Sequence, residues 1–344
     1  MKDYIVSTTL EEIFTEYPFA EDFFISIGIN KSNTYHKIRD FLDNLSDDEL
    51  EDCGMDRGQI LSNFILFMEK MRELKAKSTI TLKELKIIGG FDKTEKKENI
   101  ELVMKPGEIV CIVGQTGAGK SRLLADIECL AQKDTPTKRM VILNGEAPSQ
   151  EKRFSLEHKL VAQLSQNMNF IMDLSVEEFI TMHAESRMLE DIEGIVSNVF
   201  NCANDLAGEK FNLDTPVTGL SGGQSRALMI ADTALLSSSP IVLIDEIENA
   251  GVDRKKALEL LVQKEKIVLM STHDPILALM GHKRIVIQNG GMSKVIETSE
   301  EEKGNLEFLK YLDGKMLELR NMLRNGEKID FDTKKFIGIW ERVV

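Results

Sequence analysis

The sequence predicts an α/β protein flanked by helical regions, and three observations carry that prediction. An apolar run, IVCIV at Ile109–Val113, leads into the glycine-rich segment GQTGAGKS at Gly114–Ser121, and a helical pattern begins at Lys120. Two further short apolar runs, Ile241–Ile244 and Ile267–Met270, have the length and continuity of strands buried on both faces of a parallel sheet. Up to about residue 78 apolar residues recur at three and four, and beyond it β-branched runs separated by Gly and Pro turns take over.

Taken in order, residues 1–78 read as an acidic all-α N-terminal domain. Thr9-x-x-Glu12 and Ser46-x-x-Glu49 have capping-box spacing, and Ile60, Leu61, Phe64, Ile65, Met68, Met71 and Leu74 form the stripe of one buried helix face. Residues 79–300 alternate strands with helices: Pro106-Gly107 turns the chain into IVCIV, and RIVIQNGGMSKVI at Arg284–Ile296 reads as a hairpin through Asn289-Gly290-Gly291. Residues 301–344 form a helical C-terminal extension, where Leu309, Leu312, Met316, Leu319 and Leu323 alternate steps of three and four. That stripe suits packing on its own domain or a dimer seam.

Composition narrows the function. Of 344 residues 42% are hydrophobic, enough for one large core with smaller appendages, so disulfides are not needed to fold it. Cys53, Cys111, Cys129 and Cys202 are scattered without a C-x-x-C pair, which points to a reducing, cytoplasmic setting rather than a zinc knuckle or disulfide framework. No apolar run reaches the roughly 18 to 20 residues of a membrane span, so any membrane contact is expected to be peripheral, through a partner. A net charge of -14 argues against nucleic acid as a partner, and KTEKK at Lys93–Lys97 reads as a solvated loop.

The residues of GQTGAGKS have a specific chemistry. Gly114, Gly117 and Gly119 let backbone N–H groups curl around phosphate oxygens, with Gln115, Thr116 and Ala118 completing the loop. Lys120 is placed to pair β and γ phosphates, and Ser121 opens a helix whose N-terminus faces the anion while its hydroxyl ligates Mg²⁺. Strand, glycine loop and helix together define a P-loop. Asp245 ends an apolar strand and can hold the magnesium, while Glu246 beside it can accept a proton from an attacking water.

Two more segments complete an ordered set: LSGGQ at Leu220–Gln224 and STHD at Ser271–Asp274. With GQTGAGKS and IVLIDE (Ile241–Glu246), the set resembles the ATP-binding cassette (ABC) ATPases, which implies a P-loop core with a helical subdomain, ATP and Mg²⁺ as cofactors, and ATP hydrolysis. In that resemblance Glu246 is the general base and His273 contacts the γ phosphate. Ser221 with the backbone of Gly222 and Gly223, next to Gln224, contacts the γ phosphate held by the opposite protomer. One copy of each motif then requires a head-to-tail homodimer, or a homologous partner, on ATP binding. For the magnesium-sensing glutamine Gln163 and Gln166 compete, and Gln166 has the family's spacing from LSVEEF (Leu174–Phe179). Phe91 lies where the family places an aromatic ring on adenine, or else anchors a turn, and Asp253 joins the nucleotide-contacting residues.

Some residues depart from common transporter ATPases: Ile247 follows Glu246, the loop ENAGVD (Glu248–Asp253) is one residue longer, and Asp232 stands where arginine is common. A second resemblance covers TLEEIFTEYPFAEDFFISIGI (Thr9–Ile29), which looks like the opening of a small helical domain found with iron-sulfur repair proteins, although Asn30, Lys31 and Ser32 follow where cysteines are frequent there. These features place activation or maturation of a soluble metalloenzyme first among the expected functions. The ATP-binding subunit of a membrane transporter, served by a permease that docks on NMNFIM (Asn167–Met172) unless that patch is core, comes second. A DNA-repair ATPase is disfavoured by the acidic balance and the lack of zinc cysteines.

Overall fold

The computed structural model describes residues 2–29, 35–77, 81–154, 159–165, 170–187, 189–245 and 251–338. Gln166, Asn167–Asn169, Glu246, Ile247, the first three residues of ENAGVD and Asn30–Ser32 lie outside them. The chain divides into two compact units, Met1–Ile80 with Glu185–Glu190, and Thr81–Ala184 with Asp191–Val344.

Among its described residues the first unit has six helices: α1 (Lys2–Ser7), α2 (Leu10–Glu16), α3 (Ala20–Ser26), α4 (Ile38–Asp43), α5 (Asp47–Cys53) and α6 (Arg57–Lys77). Both expected capping boxes are present, Thr9 with Glu12 at the start of α2 and Ser46 with Glu49 at α5. The α6 stripe buries Ile60, Phe64 and Met68 completely. Phe64 meets Phe23 and Phe24 at 5.3 and 4.9 Å between ring centroids, so an aromatic cluster supplies much of this core.

In the second unit a three-stranded antiparallel sheet, β2 (Glu101–Met104), β1 (Leu85–Ile88) and β4 (Met140–Leu143), accompanies a six-stranded one. The larger sheet has the order β5 (Val161–Leu164), β6 (Ile241–Asp245), β7 (Ile267–Ser271), β3 (Ile109–Val113), β8 (Lys283–Gln288) and β9 (Gly291–Glu297). Its strands are parallel except β9, which returns antiparallel to β8 through Asn289 and Gly290 at φ 50° and 83°. Two positive φ angles are what a tight two-residue hairpin turn requires, and an Asn-Gly pair supplies them cheaply. Because β3, β6 and β7 are covered on both faces, they read as continuous apolar runs rather than alternating ones.

Helices α7 (Lys120–Glu128), α8 (Gln150–Phe154), α9 (Val176–Ser186), α10 (Ile192–Leu206), α11 (Gly222–Leu235), α12 (Arg254–Gln263) and α13 (Pro275–Met280) complete the core. One cluster, including Val176, Val199, Ala203, Ala227 and Leu258, joins the helical part to the sheet residues Val242 and Val268. Helix α14 (Glu300–Arg324) begins with a Ser299–Glu302 capping box, and α15 (Thr333–Ile337) follows it. Of the predicted α14 stripe, Leu309, Leu312 and Leu319 are half-buried while Met316 and Leu323 are exposed, and the fully buried contact is Leu306.

Candidate nucleotide-binding site

The strand β3 delivers Gly114 to the C-terminal edge of the six-stranded sheet, where α7 begins. Gly117 and Gly119 take φ of +78° and +106°, and Gly119 caps α7 without a side-chain hydrogen bond. The loop is held from behind: a Cβ on Gly119 would lie 2.8 Å from the Cα of Gly290, and one on Gly114 would lie 2.7 Å from the carbonyl oxygen of Ile287. A close-fitting backbone cradle at a helix N-terminus suits an anion such as the triphosphate of ATP.

Lys120 is buried, and its Nζ donates to the carbonyl oxygens of Gly114 at 3.1 Å and Gln115 at 3.4 Å. The same ammonium lies 2.8 Å from Nε2 of His273, so two candidate phosphate-facing groups meet although 153 positions separate them. His273 is exposed just beyond β7, and Asp274 after it caps α13 by accepting from the Ile276 amide at 2.8 Å. Asp245 ends β6 directly opposite Ser271 of β7. The Ser271 hydroxyl is buried with no hydrogen-bond partner among the described residues, which leaves polar capacity between the acid and the loop strand.

Gln163 is engaged elsewhere. With its amide oriented to donate, it reaches both carboxylate oxygens of Glu128 at 2.8 and 2.9 Å. Glu128 is the last residue of α7, about 12 Å along the helix from Lys120. The sequence left Gln163 and Gln166 in competition because spacing alone does not say which way a strand residue points.

The segment LSGGQ starts α11 with Ser221 as N-cap, and Ser221 and Gly222 are exposed. The Ser221 amide donates to Gln224 Oε1 at 2.8 Å, while Gln224 Nε2 donates to the Glu209 and Lys210 carbonyls at 3.4 and 3.3 Å. A Cβ on Gly251 would come within 3.7 Å of the Gly223 Cα, so the end of ENAGVD lies beside the α11 N-terminus of its own chain. Asp253 caps α12, accepting from the Lys256 amide at 3.1 Å. Asp232, where the sequence departed from the common arginine, is buried and lies 2.8 Å from Nδ1 of His183.

On the other side of the loop, the Phe91 amide donates to the Thr137 carbonyl at 2.7 Å, and the ring is 37% exposed with Lys138 Nζ 5.6 Å from its centroid. Lys93 to Lys97 are exposed, in keeping with a solvated loop. Lys93 nevertheless reaches back to donate to the Gly117 carbonyl at 3.3 Å. Sequence reasoning missed that contact, and it missed a buried cluster of Arg139, Glu98 and Asp126 nearby; nothing in the spacing of these four charges marks them out.

Comparison with known proteins decides the family. The ABC transporter family profile matches residues 97–249. An uncharacterized ABC transporter ATP-binding protein of Methanocaldococcus jannaschii is 54% identical over 249 residues, covering 72% of this chain and 95% of the relative. The chain belongs to the ABC ATPase family. As a member it is an ATP-binding P-loop protein that hydrolyses ATP. The macrolide export ATP-binding/permease protein MacB of Campylobacter jejuni is 27% identical over 214 residues, but this cassette spans only 32% of that longer chain. Among solved structures, an ATP-binding subunit of an ABC transporter matches 66% of this chain and 100% of its own with TM-score 0.50 at 20% identity. The cbiO1 protein of Clostridium perfringens matches 71% and 100% with TM-score 0.51 at 19% identity. These two share the cassette fold that the ordered motifs predicted.

Proposed function

We propose that this cassette is the ATP-binding subunit of a membrane ABC transporter, held at the cytoplasmic face by a permease and hydrolysing MgATP between two head-to-tail copies. The supporting observation is the corner before α9, where Ile171 is 94% exposed and Met172 41% exposed. Exposed apolar side chains side by side at one corner are suited to a partner's apolar helix, and the M. jannaschii relative is named as a transporter protein. Phe170 behind them packs on Phe179 at 5.1 Å, giving the corner a firm base. The sequence ranked activation of a soluble metalloenzyme first; the relatives described above are named as transporter proteins, and the order of the two readings is reversed. No helix among the described residues is long and apolar enough to cross a membrane.

In this mechanism Lys120 exchanges a carbonyl or His273 contact for phosphate oxygens, and the amides at the start of α7 take the remaining charge. Ser121, Asp245 and Gln166 are the residues that would hold Mg²⁺, which would supply neutralising charge to the bound triphosphate. Glu246 takes the proton of the attacking water, and His273 orients that water and the γ phosphate. In this reading Phe91 stacks on adenine and Asp253 contacts the nucleotide. Ser221 and the amides of Gly222 and Gly223 come from the second copy, so closure completes each site and hydrolysis releases it.

Glu246→Gln should bind MgATP, lose at least about a hundredfold in turnover and accumulate as a closed dimer, read by phosphate release and light scattering. Turnover near that of the parent would remove Glu246 from its role. Ser221→Arg should bind ATP as a monomer and fail to dimerise. For the permease, Ile171→Glu should leave isolated ATPase activity unchanged and release the protein from native membranes. Recovery of both variant and parent in the soluble fraction with a common enzyme would instead restore the activation reading.

A further inference from the structure

Three charges are buried together at the back of the nucleotide site. Arg139, just before β4, has no exposure, and the side chains of Glu98 and Asp126 are each 2% exposed. The guanidinium donates from Nε and Nη2 to the two Glu98 oxygens at 3.1 and 2.5 Å, and from Nη1 to Asp126 Oδ2 at 2.9 Å. Nη2 also donates to the Gly290 carbonyl at 2.8 Å. Glu98 in turn accepts from the amides of Gly90 at 2.9 Å and Met292 at 2.8 Å.

Each arm of this cluster ends on a different part of the site. Asp126 belongs to α7, the helix that opens with Lys120. Gly290, whose carbonyl Arg139 holds, donates its own amide to the Ala118 carbonyl at 2.7 Å and abuts Gly119. Gly90 precedes Phe91 in the turn closed by Glu98, and a Cβ on Gly90 would strike the Thr137 carbonyl oxygen at 1.9 Å, so that turn sits hard against the segment leading into Arg139. Stability is a poor reason for such a cluster, since buried ion groups can often be replaced by apolar residues with no loss of stability. What a guanidinium fork gives that an apolar contact does not is fixed geometry among several partners at once.

We propose that Arg139 is a positioning residue that locks the Phe91 turn to the phosphate loop, so that base and triphosphate are gripped as one rigid span. The inference rests on the reading in which Phe91 meets the base and Gly114–Ser121 the phosphates. Its consequence is that Arg139 sets the part of the affinity that depends on the base, without touching the nucleotide.

The test compares ATP with inorganic tripolyphosphate, by calorimetry on the full chain. The parent should bind ATP more tightly than tripolyphosphate. Arg139→Lys keeps the charge and loses the fork, and should weaken ATP by about tenfold while changing tripolyphosphate by less than about twofold. Glu98→Gln, of the same shape, should likewise weaken ATP more than tripolyphosphate, and ADP should slow hydrogen exchange at the Gly90 and Met292 amides of the unmodified protein. Slowing at these two amides beyond that at the buried strand Ile267–Ser271, which reports the overall stabilisation by ADP, keeps the proposal testable even if both variants fail to fold. A folded Arg139→Lys protein that keeps the parent's ATP preference, or amide exchange at both positions slowed by ADP no more than at that strand, would overturn the proposal. A parent that binds both ligands equally would overturn it as well, but by defeating the reading of Phe91 and not the geometry of the cluster.

Discussion

Lys120 and His273 hold each other at 2.8 Å, and in the proposed mechanism both reorganise as a phosphate comes between them. His273→Ala should therefore cost little ATP affinity and about a hundredfold in kcat, because the lost interaction belongs to the transition state; steady-state kinetics separate the two. Cys111 offers a second check at this scale. Burial pushes its thiol up to about 12, so the thiolate is scarce at neutral pH and up to pH 9. A thiol reagent applied to the folded protein at pH 8 should leave Cys111 unmodified until denaturant is added, as peptide mass mapping would record. The motif residues were legible because phosphate chemistry needs them adjacent: a glycine loop, its lysine and its serine occupy consecutive positions. Arg139, Glu98 and Asp126 were not legible, because each alone looks like a solvated charge and only the fold reveals that three distant positions share one dry space.

At the level of elements, capped pieces and continuous apolar runs such as Ile241–Ile244 and Ile267–Met270 were readable, and short strands of mixed composition were not. The capping boxes at Thr9 and Ser46 and the Asn289-Gly290 turn appear as their local chemistry dictates. The four-residue strands β1, β2 and β4 gave no signal, since four positions hold too little alternation to separate a strand from a loop. The α14 stripe divides along its length, partly covered near Leu309 and Leu312 and open at Leu323, which periodicity cannot distinguish. The loop between β3 and α7 yields a strong expectation. Gly119→Ala adds a methyl 2.8 Å from the Gly290 Cα at a φ of +106°, and should cost about 1–3 kcal/mol of stability while abolishing ATP binding, read by thermal unfolding and calorimetry. Ser299→Ala removes the α14 cap and should cost about 1 kcal/mol with ATP binding intact.

Among the described residues each unit has an apolar core of its own, one cluster around Phe23, Phe24 and Phe64 and another against the six-stranded sheet. Calorimetry should resolve two unfolding transitions, since chains with distinct cores depart from two-state behaviour. ADP at a hundred times its Kd should stabilise the cassette by about 2.7 kcal/mol, raising only its transition by roughly 5–10 °C. A single transition that moves as one would mean that the two cores unfold together.

The order of strands also governs when the protein becomes able to act. Ile109–Val113 pairs on one side with Ile267–Ser271 and on the other with Lys283–Gln288, both made long after it. Even the support behind Gly119 comes from Gly290. A ribosome-bound chain whose emerged part ends at Met280 would carry every nucleotide motif and should fail to retain a fluorescent ATP analogue, whereas one that has emerged past Glu297 should capture it. Synthesis itself would then withhold the ATPase until its last strands emerge.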